Sequence, residues 1–382
     1  MTASDLLRWA DGRSAEMAAL LADLVSIESP STDAAAVARL AERIAHELAV
    51  TGVSAELVPV TGAGPVLRAR SVGPTGRRPV MLLGHLDTVW PIGTLARRPA
   101  RIDGDRLSGP GCYDMKAGLV IALFALRALA ARGPLPGVTV FLTPLEEVDC
   151  EAYRALMEAE MAAAAAVLCF EPAWPGGAVK TARKGSGSFI LRTRGRASHA
   201  GADLARGANA ILELARQCLR VSELTDAASG VSANVGVIRG GMRPNVVPDL
   251  AEAEVDVRFP TVAVGHALEA ALRALRPVDV RVALEVDGGL HYPPFERSAA
   301  VAALYGHARV VAAEMGSTLE EAATGGASEA SFAAALGIPT LDGLGGDGDG
   351  AHAEDEHVLL SSLPPRVALV AGVIARVSRL GV

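Results

Sequence analysis

Aromatic side chains make up only 4% of this chain, so its core must be packed from Ala, Leu and Val rather than from large rings. Thiols are fewer still: the four cysteines, Cys112, Cys150, Cys169 and Cys218, lie far apart and form no Cys-x-x-Cys pair. That spacing argues against a thiolate zinc site or a disulfide scaffold, and it predicts free thiols in a cytoplasmic protein. Positive charge is also in deficit, with 36 Lys and Arg against 43 Asp and Glu and a net charge of −7. That balance argues against a nucleic-acid or anionic-membrane partner. Long apolar runs are missing as well. The most apolar segment, residues 117–131, is shorter than a membrane span and carries Arg127, which predicts a buried helix and no membrane anchor. The opening Met1-Thr2-Ala3-Ser4-Asp5 has no basic leader followed by an apolar stretch, so no secretory signal is expected.

With 382 residues the chain is too long for one ordinary core, and two domains are expected. Residues 79–84, 138–143 and 166–170 are continuous apolar runs, separated by helical stretches at 34–49, 115–131 and 151–165. Such runs suit strands buried on both faces, and their alternation with helices predicts an α/β domain with a mainly parallel central sheet. The pattern changes near residue 186. Residues 188–194, 233–238, 251–258 and 278–286 read as strands, and 207–220 and 261–276 as helices, giving a β-α-β-β-α-β unit. Between Ala251 and Arg258 apolar and charged residues alternate strictly, as in an antiparallel strand with one wet face. The predicted division is a first domain over 1–185 and 296–382 and an inserted α+β, ferredoxin-like domain over 186–295. The tail returns to the first domain with a helix at 298–315 and a short buried strand at 337–341.

Each of the three apolar runs leads to residues able to bind a metal or move a proton. The first delivers His85 and Asp87, the second Glu146 and Glu147, and the third Glu171. In open α/β sheets the ligand crevice lies outside the carboxyl ends of the strands, so these groups are expected to share one cleft. Asp114 precedes the apolar helix, where it would cap the helix and expose its free oxygen. Alone, each has an ordinary reading: His85 and Asp87 as a hydrogen-bonded pair, Asp114 as a helix cap, Glu146 and Glu147 as a solvated pair, His352 as a surface histidine. Together they need a cation, because carboxylates converging at a buried edge cannot stay charged without a partner. Oxygen and imidazole donors without thiolate suit catalytic zinc. Two histidines and three carboxylates close two such sites if one carboxylate bridges.

The runs His85-Leu86-Asp87-Thr88-Val89, Gly109-Pro110-Gly111-Cys112-Tyr113-Asp114-Met115-Lys116-Ala117-Gly118, Glu146-Glu147 and Glu171-Pro172 resemble the metal motifs of a zinc peptidase family. That family includes glutamate carboxypeptidase, acetylornithine deacetylase, succinyl-diaminopimelate desuccinylase and aminoacylase. The resemblance implies that His85, Asp114 and Glu171 hold one zinc and that Asp114, Glu147 and His352 hold the other, with cobalt or manganese as alternatives. It makes Asp87 the residue that orients His85, and Glu146 the general base. The inserted domain is similar to the family's lid, which usually mediates dimerisation, so a homodimer is expected. Ala197-Ser198-His199-Ala200-Gly201 resembles a turn whose histidine reaches the partner's site to stabilise an oxyanion; its plain alternative is a turn residue. Asn245, Arg258 and Gly326 match substrate-binding positions, although Arg258 has the simpler task of neutralising Glu252, Glu254 and Asp256 on its strand. Two stretches depart from the family pattern: Gly325-Gly326-Ala327-Ser328-Glu329, where Gly-Gly-Thr-Ser-Asp is common, and Val148-Asp149-Cys150 after the glutamate pair. The implied activity is cleavage of an amide bond beside a free carboxylate, in a small peptide or N-acyl amino acid. A glutamate-releasing carboxypeptidase is the first choice, an N-acyl-amino-acid deacylase the second, and a non-catalytic binding protein with a hydrolase fold the third.

Overall fold

Apolar runs without alternation have no wet face, and here they become the inner strands of a six-stranded sheet. The computed structural model describes residues 2–380. Strands Val138–Thr143, Val80–His85, Ala166–Cys169 and Thr340–Leu341 lie side by side in that order and run parallel, and every one of their residues is buried. Strands Val66–Arg70 and Ser54–Val58 extend one side in antiparallel fashion. The sheet is therefore mixed but mainly parallel, as the apolar runs predict. Its antiparallel edge escapes that reading because Ser54–Val58 has no buried residue. Helix Ala117–Ala130 is apolar all round except at Arg127 and packs among Ala3–Asp11, Ser14–Val25 and Leu363–Leu380. By length and composition the last of these could cross a membrane, yet Val367, Val370, Val373 and Ile374 are buried in the same core.

The chain divides into two compact units. The first comprises the residues up to Thr181, Arg297–Ala323, and the chain from Ser328 onward. The second is Ala182–Glu296 with the short segment Thr324–Ala327. It carries a four-stranded antiparallel sheet in the order Ser232–Gly240, Leu250–Phe259, Gly185–Arg194, Ala283–Tyr292. Along Leu250–Phe259 burial alternates residue by residue. Ala253, Val255 and Val257 meet Leu214 of helix Ala210–Ser222 and Leu268 and Leu272 of helix Val262–Arg273 in one core. Those two helices are capped by Asn209 and Thr261, whose side chains accept the amides of Leu212 and Val264.

Two predicted elements need correction. The strand expected at 278–286 is instead Ala283–Tyr292. The buried Glu213 carboxylate accepts the amides of Val278 and Asp279, at 2.8 and 2.9 Å, which turns that segment out of the ladder. The helix expected from 115 begins only at Ala117, and Lys116 stands at its cap, so Asp114 is not the capping residue. Asp114 and Met115 have non-helical dihedrals, and the peptide between them is cis.

Candidate metal centre

Parallel pairing brings the ends of three neighbouring strands level. His85 lies across from Thr143, and Leu83 from Cys169, so His85, Glu146, Glu147 and Glu171 leave the sheet at one edge. The turn that carries Asp114 reaches the same edge because its helix starts close to the sheet. A Cβ on Gly118 would sit 2.1 Å from the Phe170 carbonyl oxygen, so only glycine permits that approach. His352 comes from the loop before strand His357–Leu359 and has a left-handed φ of 63°.

The other four predicted ligands gather around Asp114. Its Oδ1 lies 3.2 Å from His85 Nε2, and its Oδ2 lies 3.4 Å from His352 Nε2. Glu171 Oε1 is 3.5 Å from His85 Nε2, and Glu147 Oε2 is 3.0 Å from His352 Nε2. One carboxylate thus divides its two oxygens between two imidazoles, and each imidazole has a further carboxylate of its own. Ligand atoms of His85, Asp114 and Glu147 all lie within 4.8 Å of one another, as do those of His85, Glu146 and Glu171. Divalent cations fit this donor set, which contains nitrogen and oxygen and no sulfur.

The charges point the same way. Burial works against a charged His85, yet its hydrogen bonds with Asp114 and Asp87 raise its pKa well above the usual histidine value. His352 is pushed up to about 10 by its hydrogen bonds with Asp114 and Glu147. Burial would raise Asp114, but the two histidines hold it well below the usual carboxylate range. Carboxylates crowd both imidazoles, so the centre favours a positive charge, which a bound cation would supply in place of protons. Glu146 behaves oppositely: burial, and then the neighbouring Glu171 charge, raise it well above an ordinary glutamate.

Asp87 touches more than its expected partner. His85 Nδ1 is 3.0 Å from the main-chain oxygen of Asp87 and 3.5 Å from its carboxylate. That carboxylate accepts the amides of Glu146 and Glu147, at 3.1 and 3.2 Å, and the Ser31 hydroxyl at 2.6 Å. It therefore fixes the backbone under both glutamates.

The remaining predicted residues fall in the second unit. His199 pairs with Val246 in a two-stranded ribbon, and the Ala200 amide donates to the Asn245 carbonyl, which brings His199 and Asn245 together. His199 is exposed, and its Nδ1 accepts the amides of Gly201 and Ala202. Arg258 donates to both oxygens of Asp256, each at 2.9 Å. Gly326 is exposed, and its carbonyl accepts from Arg183 at 3.1 Å.

Two buried acids near the centre were not singled out from the sequence. Glu329 accepts the hydroxyls of Thr143 and Tyr153, at 2.9 and 2.6 Å, one on each side of the loop bearing Glu146 and Glu147, and burial raises its pKa to about 7. Glu356 accepts main-chain amides of the Asp114 turn. Glu329 was legible as a departure from the family motif, whereas Glu356 looks like its exposed neighbours Glu354 and Asp355.

The chain is similar to known proteins in both sequence and fold. The model of peptidase family M20/M25/M40 matches residues 81–376. Carboxypeptidase G2 of Pseudomonas sp. (strain RS-16) is 31% identical over 371 residues, covering 93% of this chain and 87% of that protein. A putative succinyl-diaminopimelate desuccinylase of Mycobacterium tuberculosis is 28% identical, covering 92% and 96%. Among solved structures, the aminopeptidase PepT of Bacillus cereus shares the fold with a TM-score of 0.78 at 22% identity, covering 95% of this chain and 98% of that one.

Proposed function

The chain belongs to peptidase family M20/M25/M40, and from that premise we propose that it is a di-zinc carboxypeptidase that cuts the amide bond beside a free carboxylate and releases a C-terminal amino acid such as glutamate. Membership makes it a metal-dependent peptidase or amidohydrolase of a typically dinuclear family. One observation carries the di-metal reading: Asp114 shares its oxygens between His85 and His352. His85, Asp114 and Glu171 would hold one ion, and Asp114, Glu147 and His352 the other. A bound zinc pair supplies Lewis acidity toward the scissile carbonyl and makes water a better nucleophile near neutral pH.

Glu146 is the residue that moves the proton. Its carboxylate takes a proton from the attacking water and returns it to the leaving nitrogen. Asp87 keeps Glu146 and Glu147 aimed by holding their amides. In the second unit, Arg258, Asn245 and Gly326 are assigned to the substrate and its free carboxylate, with Asp256 pre-orienting the Arg258 fork. His199 is assigned to the oxyanion, delivered from a second copy in a homodimer.

The test is hydrolysis by the purified chain of N-acyl-glutamate, dipeptides and N-acetyl-ornithine, with zinc and after chelation. Glutamate release that is lost on chelation and restored by zinc is expected. Faster cleavage of N-acetyl-ornithine would favour the deacylase reading, which the similarity to the mycobacterial protein supports. Hydrolysis indifferent to chelation would overturn the reading.

A further inference from the structure

Three acids follow His352 in its loop, Glu354, Asp355 and Glu356, and only Glu356 is buried, at 0% exposure. All four acceptor positions of its carboxylate are filled. Oε2 takes the Trp90 indole N–H at 2.8 Å and the Gly111 amide at 2.9 Å. Oε1 takes the amides of Tyr113 and Asp114, at 3.0 and 3.1 Å. These donors come from two ligand-bearing segments, one leaving His85 and Asp87 and one carrying Asp114. Glu356 itself belongs to the third: the Ala353 amide closes the turn around His352 onto the Gly350 carbonyl at 2.9 Å, and the Glu356 amide closes the next turn onto the Ala353 carbonyl at 3.1 Å.

His352 needs such an anchor. Its side chain is 51% exposed, and its backbone is left-handed, a conformation that non-glycine residues rarely hold without support. His85, by contrast, ends a strand buried in the sheet. We propose that Glu356 is a positioning residue that fixes Asp114 against His352, and so sets the affinity of the metal held by Asp114, Glu147 and His352. The inference rests on the di-metal reading of the centre and deepens it.

The experiment titrates zinc into the metal-stripped full chain against a chromophoric chelator, alongside hydrogen exchange of the peptide spanning residues 109–116. The unaltered chain is expected to bind in two steps. Glu356→Gln keeps the size of the side chain but turns an amide NH2, a donor, toward main-chain donors. It is expected to weaken one of the two steps by about 10- to 100-fold, change the other by less than about 3-fold, and speed exchange across the Asp114 turn. Glu213→Gln is the control, because Glu213 is likewise buried and accepts main-chain amides, but in the second unit. It should lower stability and leave both zinc steps in place. If Glu356→Gln does not fold, Glu356→Asp, which keeps the charge and shortens the reach, is measured instead with the same expectation. An unaltered chain that binds no zinc overturns the di-metal reading, and this inference with it. Two normal steps in the unaltered chain and in the Glu356 variant overturn the inference alone, as does an equal weakening of both steps.

Discussion

Glu146 and Glu147 are adjacent in sequence yet meet different surroundings. Glu147 lies 3.0 Å from His352 Nε2, whereas Glu146 is raised by burial and by Glu171. Glu146 could also be a ligand, since an oxygen of it stands within 4.8 Å of His85 and Glu171 donor atoms. Glu146→Gln separates the two roles. The variant is expected to retain both zinc ions by elemental analysis, to lose about 100- to 10,000-fold in kcat, and to keep KM nearly unchanged. Loss of one zinc would instead make Glu146 a ligand, and substantial residual turnover would remove it from proton transfer. The glutamate pair could be read from the sequence because it follows the end of an apolar run, where strand geometry says what the next residues face. Glu356 could not. Its value lies in which amides it accepts, from residues more than 240 positions away, and local pattern carries nothing about that.

Among the elements, those buried on both faces or strictly alternating were legible, because burial imposes a repeat on the sequence. The runs at 80–85, 138–143 and 166–169 and the alternation across Leu250–Phe259 are of this kind. Elements settled by a distant side chain were not legible: Val278, Val280 and Val282 alternate like a strand, but Glu213 takes their neighbourhood's amides and bends it. The antiparallel edge illustrates the energetics of such long-range ties. Arg68 and Arg70 of strand Val66–Arg70 both donate to Glu160 of helix Glu151–Ala163. Burial would raise Glu160, but the two guanidiniums, Arg70 foremost, hold its pKa below the usual 4.5. A depressed folded value means that the stabilisation is fully present above 4.5 and is lost as pH falls through the lower folded value. Glu160→Gln is therefore expected to cost roughly 1–2 kcal/mol in urea unfolding at neutral pH, with the difference shrinking as acid protonates the parent. A difference that stayed constant down to strongly acid pH would show that packing, not charge, makes the tie.

For the whole molecule, the division into two compact units gives the metal an asymmetric influence. His85, Asp114, Glu147, Glu171 and His352 all belong to the first unit, and none of these candidate ligands lies within Ala182–Glu296. A ligand that binds the folded state alone stabilises it by an amount set by its concentration relative to its dissociation constant, about 4 kcal/mol at roughly a thousand-fold excess. Zinc ought then to act on the unit that supplies its donors. In hydrogen exchange of the full chain with zinc and after chelation, protection should rise in peptides carrying residues 85–88, 112–116, 145–147 and 350–356. Peptides from Gly185–Arg194 and Leu250–Phe259, whose amides are held by their own antiparallel sheet, should exchange at the same rate in both states. Zinc-dependent protection spread evenly over both units would mean that they open as one body and would defeat this expectation. Protection confined to the second unit would mean that the cation binds somewhere other than around Asp114.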